Sequence, residues 1–294
     1  MTCADGVVIL APHRTFRGRS QEFLKGIESM EYEHIEVQKT SGVAICTINN
    51  PPLNLLTTGM MLELNNLTQQ LEADDEVRAV IFTGGVENVF ILHFDVSELV
   101  AMAGRGAPAR MPRVTEMTHT QMQARLESMP KPVIAAINGR CGGGGCEFAL
   151  ACDFRIMAIG DFTIGCPEVG VGILPGGGGT QRMTRLLGPG KALEMLLMGK
   201  LVGAEEAERI GLVHKAVPAT ELMSTASLLA SRLAHGATVA QGLIKRCVYK
   251  GGELPLDEGL QIEFEAFLQT LQTQDAQAAM KAYLRGEQVE HKGR

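Results

Sequence analysis

Two glycine runs with a glutamate beside each carry the chemistry in this sequence. The first lies in Val133–Glu147, V-I-A-A-I-N-G-R-C-G-G-G-G-C-E, where an apolar strand meets Gly142–Gly145 and then a helix. The second, Gly176–Gly179, follows Glu168 in C-P-E-V-G-V-G-I-L-P-G-G-G-G-T-Q-R. Glycines let a backbone turn sharply and let a ligand reach the amides, and amides at a helix start suit an anion or a developing oxyanion. A P-loop is excluded, because Gly145 is followed by Cys146-Glu147 in place of Lys-Ser/Thr. The dinucleotide fingerprint is broken: the sixth position from Gly142 is Glu147, and Asp153 precedes the next strand instead of closing it. Neither G-x-S-x-G nor H-E-x-x-H occurs. An oxyanion hole stays open as a reading.

Glu147 and Glu168 could share acid–base work on one water, since mutual repulsion and partial burial raise at least one carboxyl into the working range. The competing reading makes Glu147 a dipole partner in a first helical turn and Glu168 a solvated loop residue. Spacing alone does not decide between them.

The elements that must hold these groups alternate in type. Tyr32–Val37 and Val43–Ile48 read as a hairpin around Ser41-Gly42. Thr58 is placed to cap a helix whose Met61, Leu64, Leu67 and Leu71 share one face. Val77–Phe82, Val133–Ile137, Phe154–Met157 and Phe162–Ile164 read as strands. Ser97–Met102 and Thr115–Met129 read as helices, the second stopped before Pro130. Beyond Gly178 the β signal nearly disappears, and helices are expected over 179–187, 191–198, 204–210, 220–234, 237–249, 256–272 and 276–285. The fold class is therefore α/β. Its expected organisation is an amino-terminal extension at 1–29, a β/α core at 30–188 holding the site, and a helical region at 189–294. The extension reads as dispensable, with Met30 as an alternative start; a transit segment there is the second reading.

Composition narrows the function. The chain has 294 residues, 45% of them hydrophobic, enough for a large core and too apolar for disorder. With 27 basic against 33 acidic residues, a net charge of −6 and no basic block, it offers a nucleic acid little, and 4% aromatics without Trp supply no stacking platform. No apolar run approaches the roughly 18–20 residues of a membrane span. Seven cysteines lack any C-x-x-C pair or nearby histidine at zinc spacing, so they read as reduced core thiols, with no metal site.

Five segments, in order, resemble the crotonase, or enoyl-CoA hydratase/isomerase, superfamily: I-N-N-P-P-L-N (Ile48–Asn54), K-P-V-I-A-A-I-N-G (Lys131–Gly139), G-G-G-C-E-F-A-L-A-C-D (Gly143–Asp153), Pro167–Arg182, and A-E-E-A-E-R-I-G-L-V (Ala204–Val213). The resemblance runs from about Glu31 to about Arg285. It implies a spiral of ββα units with a carboxy-terminal helical region that serves trimerisation and completes the CoA site. It also implies a homotrimer or a dimer of trimers. The implied substrate is an acyl-CoA thioester, with coenzyme A part of the substrate, no separate cofactor and no nucleic-acid or membrane partner. Matched motif to motif, the two oxyanion amides fall on Phe94 and Gly144 and the two hydratase acids on Glu147 and Glu168. Having both acids favours hydration of a 2-enoyl-CoA, with Glu168 giving the proton to C2. CoA contacts fall on Leu53, Leu55, Asp95, Val96, Tyr283 and Arg285. The expected location is cytoplasmic, or an organellar matrix if 1–29 is a transit segment.

Two departures stand out. His93 and Phe94 replace the usual Gly and Ala, so the Phe94 ring is expected to narrow or redirect the acyl pocket, and His93 is either an auxiliary acid–base group or a packing residue. The stretch between the acids is also one residue longer than usual, near Ile159-Gly160. The rival functions are isomerisation, thioester hydrolysis or C–C cleavage on the same scaffold, and a non-catalytic RNA-binding homologue.

Overall fold

The computed structural model describes residues 32–106 and 110–293. The extension expected over 1–29, and with it Met30 and Cys3, lies outside them. Strands β1 (Ile35–Thr40) and β2 (Val43–Ile48) form the expected hairpin, antiparallel with Ile35 opposite Ile48. Helix α1 (Thr58–Ala73) buries Met60, Leu64, Leu67 and Leu71. Its cap is Thr57, not Thr58: the Thr57 hydroxyl accepts from the Met60 amide at 3.1 Å. Starting one residue earlier, the helix turns Met60 fully inward and leaves Met61 half-buried.

Three ββα turns follow. The first comprises β3 (Ala79–Gly84), β4 (Val89–Ile91), α2 (Val96–Gly104) and α3 (Thr118–Ser128). The second is β5 (Val133–Ile137), β6 (Arg140–Gly142) and α4 (Gly144–Leu150). The third is β7 (Phe154–Ile159), β8 (Ile164–Gly165) and α5 (Gly179–Leu197). In each turn the first strand enters one sheet and the second strand another. The result is a six-stranded sheet, β1-β2-β3-β5-β7-β9, and a three-stranded sheet, β4-β6-β8. Apart from the β1/β2 hairpin, the pairs are parallel, as helical crossovers require. This is the expected crotonase-type spiral.

Strand β9 (Lys215–Pro218) departs from the expectation of helices alone after Gly178: it pairs in parallel with β7 at the sheet edge. Around it lie α6 (Ala204–Arg209), α7 (Leu222–Ala234), α8 (Thr238–Arg246), α9 (Leu256–Leu271) and α10 (Gln274–Arg285). Helix α5 breaks at Gly188 (φ 77°, ψ 160°), just before Pro189, where the sequence separates two helices.

The core has two parts. The larger fills the space inside the turns, with Phe82, Phe90 and Phe148 fully buried and Phe82 edge-on to Phe148 at 5.1 Å. The smaller lies under α7, against Ile81, Ile134 and Ile156. Cys46, Cys141, Cys146, Cys152 and Cys166 are free and buried among these apolar side chains. Burial pushes the Cys141 and Cys152 thiols up, which makes them inert packing groups.

Candidate active site

The site is built where β6 gives way to α4. Gly143 caps α4 with φ 48° and ψ −124°, a backbone conformation that side chains rarely adopt. The Glu147 amide closes the first turn on the Gly143 carbonyl at 3.0 Å. Gly144 begins the helix, so its amide is one of the donors that an α-helix leaves without an internal acceptor.

Phe94 is brought to the same corner by Leu56. The Leu56 amide donates to the His93 carbonyl, and its own carbonyl accepts from the Asp95 amide, both at 2.9 Å. This parallel bridge turns both main-chain groups of Phe94 to the opposite side. There the Phe94 carbonyl accepts from His93 Nδ1 at 2.7 Å. The Phe94 nitrogen lies 3.5 Å from the point a Cβ on Gly144 would occupy. Phe94 thus packs directly against Gly144. The Phe94 side chain is half-buried and packs against the larger core. His93 has its Nδ1 committed to main chain, and its Cβ lies 3.3 Å from a Cβ built on Gly143.

Asn54 holds this corner from behind. Fully buried, with φ 51°, it donates to the carbonyls of Ile48 (3.0 Å) and Phe90 and accepts from the Asn50 amide at 2.6 Å. It joins the end of β2 to the middle of β4, and its place in a motif was all that the sequence showed of it.

Each acid lies against a glycine run, Glu147 against the second and Glu168 against the first. Glu147 is buried on α4, and its Oε1 accepts from the amides of Gly177 (2.7 Å) and Gly179 (2.8 Å). Burial raises its pKa, while the Gly179 and Gly177 amides and the Arg182 charge pull the other way. Glu168 opens a short 3₁₀ turn, Glu168–Val171, and its Oε1 lies 3.1 Å from a Cβ built on Gly143. Burial, reinforced by the charge of Glu147, pushes Glu168 up to about 7. Its Oε2 is buried without a hydrogen-bond partner among the described residues. Ile159 and Gly160 lie in an exposed stretch where β7 ends before β8, and Glu168 meets the glycine corner.

The expected CoA residues divide into two groups. Leu53, Leu55, Asp95 and Val96 flank the Leu56–Phe94 bridge, with Leu53 and Val96 exposed. Asp95 caps α2, accepting from the Ser97 amide at 2.8 Å, and that bonding to Ser97 holds its carboxyl below the usual range. Tyr283 and Arg285 lie at the end of α10, Tyr283 exposed and Arg285 paired with Glu287 at 2.8 Å.

For a metal, one grouping among the described residues has ligand atoms within 4.8 Å of one another: Glu33, His34 and Glu63. It is internally paired, with His34 Nδ1 and the His34 amide each 3.0 Å from Glu63 oxygens. Among the described residues, no helix is long and apolar enough to cross a membrane.

The sequence readily exposed the acids and their glycines but not their supports. Arg182 and His119 escaped notice, although His119, Gln123 and Glu127 recur at helical spacing on α3.

Comparison with known proteins bears on the family and the fold. A family model described as enoyl-CoA hydratase/isomerase matches residues 38–294. The short-chain-enoyl-CoA hydratase of Clostridium acetobutylicum is 40% identical over 262 residues, covering 89% of this chain and 98% of that protein. The crotonyl-CoA hydratase of Syntrophomonas wolfei is 38% identical over 259 residues, covering 87% and 96%. Among solved structures, the enoyl-CoA hydratase from Bacillus anthracis superposes with a TM-score of 0.79 at 31% identity, covering 89% of this chain and all of that one. With motif order, fold and near-complete coverage in agreement, the chain belongs to the enoyl-CoA hydratase/isomerase family and is an enoyl-CoA hydratase-like enzyme of the crotonase superfamily.

Proposed function

We propose that the enzyme adds water across the double bond of a 2-enoyl-CoA to give a 3-hydroxyacyl-CoA. One observation carries the reading: Phe94 N packs against Gly144 at the start of α4, Glu168 Oε1 sits against the neighbouring Gly143, and Glu147 is buried in the first turn of the same helix. The thioester carbonyl accepts from the Phe94 and Gly144 amides. As electron density moves onto that oxygen, C3 becomes electrophilic, and each donor aimed at the developing enolate is worth roughly 3–4 kcal/mol.

Glu147 and Glu168 hold the attacking water. Burial raises the pKa of Glu147 and so makes it a stronger base, while two amide donors and the nearby Arg182 oppose that rise and support the ionised form that takes a proton from water. Glu168, pushed up to about 7, is suited to deliver a proton to C2. Water's oxygen bonds to C3, one of its protons goes to Glu147, and C2 takes the proton of Glu168. Isomerisation needs only one acid, so the presence of both favours hydration. Coenzyme A is part of the substrate, and the mechanism calls on no other cofactor.

The names of the Clostridium and Syntrophomonas relatives support short enoyl chains. The CoA moiety lies along the Leu53–Leu56 and Asp95–Val96 segments, with Tyr283 and Arg285 approaching the nucleotide. On α9, Leu256, Leu260, Phe264 and Phe267 form an exposed stripe at helical spacing. That stripe supports assembly of 189–294 into a homotrimer or a dimer of trimers, which light scattering coupled to gel filtration reads directly.

Purified enzyme mixed with crotonyl-CoA should remove the conjugated-thioester absorbance and yield 3-hydroxybutyryl-CoA by mass spectrometry. Failure across a series of enoyl-CoA chain lengths would discard the hydration reading.

A further inference from the structure

Arg182, four residues beyond Gly178, is the most heavily engaged cation near the acids. Its Nε donates to Glu127 Oε1 at 2.5 Å, and its Nη1 donates to Gln123 Oε1 and to the Gly177 carbonyl, both at 3.1 Å. Gly178 sits so close (φ 98°) that a Cβ there would collide with the guanidinium. The loop Arg182 grips is the one that supplies both amides to Glu147 Oε1. Gln123 and Glu127 lie one helical turn apart on α3, and one turn before them His119 bonds to the Gly176 backbone. A polar stripe at i, i+4 and i+8 therefore faces the loop. Gln123 and Glu127 line part of a cleft of 1540 Å³ that Gly176, Gly177 and Gly178 also line.

We propose that Arg182 is a positioning residue for the Glu147 carboxylate, acting through the Gly176–Gly179 loop and held in place by Gln123 and Glu127 of α3. Glycines impose little conformation of their own, so a four-glycine loop that must present two amides to one oxygen needs an external brace. The planar guanidinium supplies it, bonding a loop carbonyl on one side and two α3 side chains on the other. The proposal rests on the hydration reading for its kinetic consequence but not for its geometry.

The charged and titratable groups facing Arg182 are Glu127 and His119 from α3, Glu147 from α4 and the Cys152 thiol after α4, while Lys245 of α8 faces Glu127. Of these, Glu147 has its pKa raised by burial, and the Arg182 charge opposes that rise. The test measures kcat and KM on crotonyl-CoA for wild type, R182Q, R182K and E127Q. In parallel, 13C NMR follows the glutamate carboxyl carbons over pH, with Glu147 assigned through E147Q.

R182Q is expected to lower kcat about ten- to a hundredfold with KM within about twofold, as a misplaced catalytic group does. It should also move Glu147 ionisation to higher pH. R182K keeps the charge, so it should hold the ionisation near its wild-type pH while recovering only part of kcat. E127Q loosens the brace without removing the charge, so it should lower kcat and leave the Glu147 ionisation no higher than in wild type. Wild-type kcat in R182Q, or in R182K if R182Q does not fold, overturns the proposal, as does a Glu147 titration indifferent to Arg182. The NMR titration needs no turnover, so a wild-type enzyme inert on every enoyl-CoA would fail the hydration reading and leave this result standing.

Discussion

Glu168 and Gly143 stand in contact across the site: a Cβ on Gly143 would meet Glu168 Oε1 at 3.1 Å, with His93 Cβ at 3.3 Å on its other side. The acid after β8 is thus seated against the residue that caps α4, and the absence of a side chain at 143 is what makes room for it. Gly143→Ala should cost about 1–3 kcal/mol through the strained φ of 48° alone. It should also lower kcat by displacing Glu168. Thermal denaturation and initial rates on crotonyl-CoA, taken together, read the two effects.

Replacing either acid by its amide should slow hydration by about 10²–10⁴-fold, the usual worth of a positioned proton-transfer group. E147Q and E168Q should retain the fold, since each amide fills the volume of the acid. Circular dichroism checks the fold and stopped-flow absorbance the rate. An E168Q enzyme as fast as wild type would remove Glu168 from the mechanism.

The raised pKa of Glu168 fixes two signs. As proton donor it must be protonated, so kcat should fall as pH rises through about 7. For stability, a carboxyl whose folded pKa exceeds its unfolded value of roughly 4.3 favours folding most when protonated. That contribution is complete below the unfolded pKa and disappears as pH climbs to about 7. Wild-type Tm should therefore decline between about pH 4.5 and 7 more steeply than that of E168Q, which has no such group to titrate.

Asp153 and Lys245 tie the core to α8 through a 2.7 Å ion pair. Burial pushes both groups toward their neutral forms, Asp153 upward and Lys245 downward. The pair is sustained by further bonds: Asp153 also accepts from the Val133 amide and the Tyr249 hydroxyl, and Lys245 also donates to the carbonyls of Leu126 and Lys131. D153N strands a buried ammonium and should destabilise the protein by about 3–5 kcal/mol, read by urea denaturation. The double variant D153N/K245M should recover part of that loss.

Much of this was legible in the sequence because it is local. Gly143, Gly144 and Glu147 lie within five positions, and a strand, a glycine run and a helix start announce their geometry together. The alternation of strand and helix followed from apolar runs such as Val133–Ile137, which is wholly buried as read, whereas the ββα order came only with the family resemblance, because β4 and β6 are three residues each. What escaped depends on distant contacts. Strand β9 is four residues, K-A-V-P, without alternation, and it exists because β7 offers it an edge. Thr57 and Thr58 are adjacent hydroxyls, and only the backbone angles of the turn select the first as cap. Arg182 earns its place from side chains 55 and 59 positions earlier, a separation no window of sequence reveals.

The bonding of Glu147 is lopsided: the Gly177 and Gly179 amides both address Oε1. One oxygen serves as the anchor, and in the proposed reaction that leaves the other to handle the proton. Rotation of the carboxyl group, free in most surface glutamates, would here sacrifice two amide bonds at once. A tether of this kind allows a side chain with three torsions to behave as a rigid tool, reusable from one turnover to the next without being re-aimed.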